Sequence, residues 1–347
     1  MDLVTVLNTI HANASATYQE RIPEANRNNL QEIQSAMVDD DNIMVANEFM
    51  ATLLNKLVKS VVHTKRFQNP LKSLKKGKKP LGDAIEEIYN NFLKGVTYNN
   101  NPANPASELL KRTLPDTKVV YHRTNHKMKY PITVSREDLT KAFSSWDALE
   151  SYINNIIDQL YNSSELDEFV NMKQLLKIAM DNKAMKVISG VADPLLGEAE
   201  GKEFIKAVKT VSNLMPFPGS EFNAYLTAQT TDTTPIVTFS RKEEQVLIIS
   251  AAADTSVSVD VLASSFNMSV ADFNDTRKIV IDAFPVATVR AALVDEAFFQ
   301  IYDDLFVIKS FENGESLYTN YWLHVWQIMA YSILVNAVLF DAAEAAA

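Results

Sequence analysis

A run of about forty residues without proline or glycine limits what this chain can fold into more than any other feature. It reads SWDALESYINNIIDQLYNSSELDEFVNMKQLLKIAMDN, from Ser145 to Asn182. Apolar residues fall at Trp146, Leu149, Ile153, Ile156, Ile157 and Leu160. They resume at Leu166, Phe169, Met172, Leu175, Leu176 and Ala179. Spacings of three and four place them on one face of a helix. At about 1.5 Å per residue that helix spans on the order of 55 Å. Typical globular helices run roughly 8–20 residues, so the run predicts a strut from which smaller elements hang. Ser145 is the expected N-cap, with Asp147 and Glu150 suited to the positive end of the helix dipole. Asn162-Ser163-Ser164 is the weak point, where side chains compete for backbone hydrogen bonds and a bend is expected.

With 347 residues the chain makes one large domain or two to three smaller ones. A net charge of -10 argues against the molecule as a whole binding nucleic-acid phosphates. The absence of cysteine excludes disulfides, thiolate metal sites and thiol nucleophiles. No secretory leader is expected, because residues 1–20 carry Asp2 and Glu20 and lack a basic start. The most apolar run, Val325–Phe340, contains Gln327, Ser332 and Asn336 and falls short of the roughly twenty apolar residues of a membrane span. Buried strands or a helix are expected there, and no membrane contact.

Residues 1–35 read as an arm or loosely anchored helix, since HANASATYQERIPEANRNN is small and polar. Residues 43–62 show helical spacing, with Asp39–Asp41 at the expected start. Lys65, Arg66, Lys72, Lys75, Lys76, Lys78 and Lys79 then crowd into a loop punctuated by Pro70, Gly77, Pro80 and Gly82. This is either a solvated loop or a patch that docks on an acidic partner: another copy of the chain, or packaged nucleic acid. Few aromatics are interleaved, so base stacking is not supported there. Gly77 and Gly82 have the spacing of a phosphate loop, but Asp83-Ala84 replaces the required Lys-Ser/Thr pair, and an ATP site is rejected.

Residues 83–140 read as a long two-stranded finger around the tip GVTYNNNPANPASE. Such a hairpin cannot bury both faces alone and needs a neighbour unless its own domain covers it. His122 and His126 would lie about 13 Å apart on a strand and read as surface residues. Residues 183–295 read as a strand–helix–strand core with antiparallel additions: strands at 245–251, 277–283 and 289–294, and helices in EFIKAVKTVSNL and at 257–266. The segment 298–340 is dense in aromatics and broken at Gly314. Trp322, His324 and Trp326 alternate with Tyr321, Leu323 and Val325, as in strands with one wetter face, and the aromatic density of the segment is expected to pack the strut.

No pairing of acids, Ser/His/Asp set, metal helix motif or dinucleotide loop is present in recognisable form, and no catalytic, cofactor or metal residue is expected. The residues alone predict a mixed α/β protein with a strut, a basic loop and a finger. Protrusions that need neighbours, without a catalytic pattern, favour an assembly protein over an enzyme.

Several long blocks carry a resemblance: NPLKSLKKGKKPLGDAIEEIY at 69–89, DLTKAFSSWDALESYINNIIDQLYNSSELDEFVNMKQLL at 138–176, VDVLASSFNM at 259–268, ALVDEAFFQIYDDL at 292–305 and YWLHVWQIMAYSILVNAVLF at 321–340. In this order they resemble the major capsid proteins of small short-tailed phages related to Bacillus phage phi 29. The resemblance implies an α+β tailed-phage capsid fold of the Hong Kong 97 type, with a long spine helix, an extended hairpin loop, and peripheral and axial domains. It places an N-terminal arm and helix at 1–65, the extended loop at 66–140, the peripheral domain at 141–183 and 296–347, and the axial domain at 184–295. It implies hexamers and pentamers in an icosahedral or elongated head around double-stranded DNA, assembled in the host cytoplasm with scaffolding and portal partners. The better-known relative carries an immunoglobulin-like domain after this core; none is expected here after Asp341. Lys72, Lys75, Lys76, Lys78 and Lys79 are then the candidate inter-subunit contacts, with packaged DNA as the competing target. A DNA-packaging or nucleic-acid-binding accessory protein is the alternative reading.

Overall fold

The computed structural model describes residues 3–38, 45–46, 48–52, 67–80, 84–93, 95, 112, 114–228, 234–258, 277–314 and 318–343. The tip of the finger, Asp39–Asp41, most of the helix expected at 43–62 and nearly all of that at 257–266 lie outside them.

Three short helices come first: α1 (Leu3–Asn13), α2 (Ala16–Arg21) and α3 (Leu30–Val38). A 3-10 turn at Pro70–Leu74 leads into β1 (Gly77–Lys78). Strands β2 (Ala84–Asn90), β3 (Thr117–Arg123) and β4 (His126–Ser135) follow, then α4 (Arg136–Ala142) and the long α5 (Trp146–Asp181). Next come β5 (Lys186–Ile188), α6 (Glu198–Leu214), α7 (Tyr225–Ala228), β6 (Gln245–Ser250), α8 (Ala251–Ser256), β7 (Arg277–Ile281) and β8 (Val289–Asp295). The chain closes with β9 (Phe299–Asn313), β10 (Tyr318–Tyr331) and β11 (Ala337–Asp341). Three sheets form among the described residues, ordered β1-β9-β10-β4, β5-β11-β8-β6-β7 and β2-β3. Among these residues no helix is long and apolar enough to cross a membrane.

Two compact units divide the chain. The first holds 1–69, 125–170 and 303–327; the second holds 70–124, 171–302 and 328–347.

In the first unit, Leu149, Ile153, Ile156 and Leu160 of α5 share a core with Tyr321, Leu323 and Val325 of β10. Tyr321, Leu323 and Val325 thus pack on the long helix, whereas Trp322 and Trp326 fall at the alternate positions, so only part of the aromatic density expected on the strut lies there. The N-terminal segment is no loose arm: Ile10, Tyr18, Ile22 and Ile33 are buried in this same core. Its polar residues mark the turns, while the apolar ones fall on the inward faces of α1–α3. Asn8 helps close this fold by donating to Ala25 O at 3.0 Å and accepting from Ala25 N at 2.7 Å.

Helix α5 runs 36 residues, about 54 Å at the usual rise. The Ser145 hydroxyl accepts from Ala148 N at 3.1 Å and caps it as expected. The helix continues unbroken through Asn162–Ser164. Asn162 Oδ1 accepts from Phe67 N at 3.2 Å, so that side chain has a partner other than its own backbone. What changes there is the chemistry of the buried face. Leu166, expected inside, is 50% exposed, whereas Glu165 and Glu168 are 8% and 6% exposed. The inward phase runs on through the two glutamates before returning to Phe169 and Met172. Asn69 N donates to Glu165, and Asn69 Nδ2 to Glu168 Oε1 at 3.3 Å. Gln327 Nε2 donates to Glu168 Oε2 at 2.7 Å and to Asp303 Oδ1 at 2.9 Å.

The second unit is built on the five-stranded sheet. β6 pairs parallel with β7 and antiparallel with β8, and the short α8 follows β6, so a strand–helix–strand core is present. Every residue of β6 is buried, as a central strand covered on both faces requires. Phe204, Val208 and Val211 of α6 pack on Leu247, Ile249, Leu293 and Phe340. Arg290 on β8 grips Asp193 with two parallel bonds, Nε to Oδ1 at 2.8 Å and Nη2 to Oδ2 at 2.7 Å. The guanidinium holds the Asp193 carboxyl below its ordinary 3.8. An acid with a depressed folded pKa contributes stability that is present above the ordinary value and lost as pH falls through the folded value. Asp193→Asn is therefore expected to cost about 1.5–3 kcal/mol at neutral pH. Thermal melting below pH 4 should also be flatter with pH in the variant than in the natural chain, by circular dichroism.

Candidate assembly surface

Two neighbouring features of the second unit carry the surface: the finger and the basic loop. β2 and β3 pair antiparallel with Ile85 opposite His122, Glu87 opposite Val120, and Ile88 opposite Val119. β4 does not continue the finger; it pairs along its length with β10, from Ser135 opposite Tyr318 to His126 opposite Gln327. His122 and His126 therefore lie on different strands and belong to different units. His122 is buried, not at the surface, because its Nε2 lies 3.0 Å from Glu87 Oε2. Burial lowers the pKa of His126, against the opposing pull of Asp167 and Glu168.

The finger is held by one face. Glu87 accepts from the Ser332 hydroxyl, and Tyr89 donates to Val237 O. Asn91 donates to Pro235 O at 3.0 Å and accepts from Val237 N at 3.2 Å. These anchors recur at every second residue, so they share one side of the strand. The other side carries Ile88, 56% exposed, and Val119, 41% exposed, directly opposite each other, with exposed Tyr121 beyond. The Tyr121 hydroxyl donates to Glu86 at 3.1 Å. Sequence reasoning missed this face: AIEEIYN has no strict alternation, and hydrophobicity alone puts Ile88 in and Glu87 out.

The basic loop lies at the start of the same unit. Leu71 and Leu74 are buried and fix the turn, leaving Lys72 exposed between them. Gly77 takes a φ of +94°, a left-handed conformation costly for other residues, as the chain enters β1. Lys76 is engaged inside its own subunit: its N donates to Ile301 O at 2.9 Å and its ammonium to Glu296 O at 3.0 Å. Close by, burial pushes the Asp295 carboxyl up, against the Ser240 hydroxyl and the charge of Lys76. Lys78 is exposed, and Lys75 and Lys79 are partly so. The five lysines are thus brought into one short stretch, with Lys72, Lys76 and Lys78 more exposed than Lys75 and Lys79. Among the described residues no group of three or more His, Asp or Glu side chains is placed to hold a metal ion.

Among the described residues the hairpin leaves Ile88, Val119 and Tyr121 exposed on one face, in a chain that also carries a lysine-rich loop and a 36-residue helix, and such a face suits contact with another molecule. A family model for Phi29-like phage major capsid proteins matches residues 7–341. The chain belongs to the Phi29-like phage major capsid protein family. This family is one of structural proteins, and a major capsid protein is by definition the repeated subunit of a virion shell. Major capsid proteins of Bacillus phages are among its relatives. That of phage GA-1 is 34% identical over 296 residues, 85% of this chain and 60% of its own length. That of phage B103 is 32% identical over 339 residues, 96% of this chain and 72% of its own length. The chain thus spans between about three fifths and three quarters of these relatives. The fold is that of a tailed-phage capsid protein: a chain in the capsid structure of Staphylococcus phage Andhra matches with a TM-score of 0.61, at 14% identity, over 84% of this chain and 88% of that chain.

Proposed function

We propose that copies of this chain form hexamers and pentamers that close into the icosahedral or elongated head of a tailed phage around double-stranded DNA. The observation that carries this reading is the hairpin seated by one face while its other face presents Ile88, Val119 and Tyr121 to solvent. Exposed apolar surface of that kind marks a contact site. In the terms of the fold, 1–65 is the arm with its helix, 66–140 the extended loop, 141–183 with 296–347 the peripheral domain, and 184–295 the axial domain. A scaffolding protein and a portal at one vertex are the further partners, assembly takes place in the host cytoplasm, and the chain carries no enzymatic activity.

Lys72, Lys75, Lys76, Lys78 and Lys79 meet acidic surface on a neighbouring copy, setting register more than affinity. Lys72 and Lys78, both exposed, are the most direct probes. The double reversal K72E/K78E is expected to move the melting temperature by no more than a few degrees, as for other surface changes. It should lower shell yield several-fold at low salt, with a smaller effect at high salt. Light scattering across a salt series reads both.

Sedimentation and electron microscopy of the purified chain, alone and with a co-expressed scaffold, test the reading as a whole. Curved shells support it. A small stable oligomer with salt-sensitive DNA binding decides instead for a DNA-packaging accessory protein.

A further inference from the structure

We propose that the outward face of β4 and β10 binds the phosphate backbone of duplex DNA. Tyr130, Ile132 and Val134 of β4 and Tyr321, Leu323 and Val325 of β10 point into the helical core. The alternate residues form the opposite face. There Lys127 lies opposite Trp326, Lys129 opposite His324, Pro131 opposite Trp322, and Thr133 opposite Asn320. Both lysines are exposed, and the two tryptophans and His324 are partly so. None of these positions is acidic, in a chain with 43 acidic residues against 33 basic ones.

The Lys127 ammonium sits 4.4 Å from the centroid of the Trp326 ring. A cation held over a ring is fixed in place, yet keeps hydrogens for an anion on its outer side. Among the described residues neither Lys127 nor Lys129 enters an ion pair. Two residues apart on a strand, they stand about 7 Å from each other, so each can meet a different phosphate of one DNA strand. Thr133 and Asn320 bond each other at 2.6 Å and offer no pattern that reads bases. Two cations on a pair of strands that carry no acid on that side suit the evenly charged backbone of a nucleic acid better than an acidic protein surface, whose charges are irregular. With its Trp326 face already covered by a lysine, the site suits a duplex, whose bases are stacked inside, better than a single strand.

This surface is separate from the basic loop. The inference rests on the capsid reading for the presence of DNA, but binding is measured on the subunit and needs no shell. Fluorescence anisotropy of a labelled random-sequence duplex, titrated with the full chain across a salt series, reads it. For K127E/K129E the affinity is expected to fall at least about tenfold at low salt, and the slope of log K against log salt to shrink by about two contacts at roughly 0.9 each. Trp326→Ala should weaken binding while Trp326→Phe largely restores it, and K72E/K78E should leave it unchanged. A labelled single strand should bind less tightly than the duplex. Melting temperatures establish that each variant folds; should the double reversal fail there, the neutral pair K127Q/K129Q replaces it. An unchanged isotherm and slope in the folded variant overturn the proposal. So does a variant that binds duplex normally but no longer forms shells, which would make this face a dock for an acidic copy. Duplex binding through these lysines by a chain that never assembles would overturn the capsid reading and leave this one standing.

Discussion

The double variant I88D/V119K is expected to abolish shell formation while leaving a folded subunit. Ile88 and Val119 face each other across the finger and are 56% and 41% exposed, so neither contributes much burial within its own chain. Substituting an acid and a base directly opposite keeps a favourable cross-strand pair, worth about 0.2–1 kcal/mol, so the hairpin retains its register. In an assembly the same pair would have to leave water, at an effective cost of several kcal/mol per ion. That cost recurs at every copy in a shell, and so outweighs the modest free energy of each contact. Sedimentation velocity should show only slow species, and the melting temperature should move by no more than a few degrees. Shells of normal yield and shape would show that the outer face of the finger touches nothing in the assembly.

The second large effect is on the fold itself. Glu168→Ala is expected to destabilise the chain by about 3–4 kcal/mol, measured by urea unfolding. The carboxylate accepts from Asn69 and from Gln327 at 2.7 Å while only 6% exposed. Removing it deletes two charge-assisted bonds, leaves buried amide hydrogens without an acceptor and opens a cavity; each of the first two losses is worth about 1–3 kcal/mol. Glu168→Gln keeps the shape and should cost less than half as much. Leu166→Ala, two residues away on the same helix, should cost under about 0.5 kcal/mol, as for other surface changes. The hydrophobic pattern predicts the reverse order for these two positions, so the pair of measurements discriminates sharply.

That reversal shows where the sequence was legible and where it was not. Helix α5 was visible in advance because an amphipathic stripe, a serine cap and the absence of proline and glycine agree with one another. The strands β6, β7 and β8 were visible because buried strands leave short apolar runs that little else explains. Periodicity fails where a polar residue is paid for by a distant partner. Glu168 is inside because Asn69 and Gln327 are there to meet it, and Glu87 is half-buried because His122 and Ser332 are there to meet it. Those partners lie from about 35 to 245 residues away along the chain, beyond any local window. The N-terminal helices misled for a related reason: their polar turns dominate the composition, while Ile10, Tyr18 and Ile33 carry the burial. Of the assembly surface, the lysine loop was conspicuous from charge alone, yet the bond from the Lys76 ammonium to Glu296 O, 220 residues away, was not.

The seat of the finger has a thermal consequence. Its anchors Glu87, Tyr89 and Asn91 are held by hydrogen bonds, and the ring of Phe92 next to them lies 6.3 Å from that of Phe239. The heat capacity of an unfolding step is set chiefly by the apolar area it uncovers. Lifting the hairpin would uncover these few side chains, whereas melting the five-stranded sheet uncovers β6, buried at every residue. The free energy of lifting should therefore curve less with temperature than that of melting the sheet.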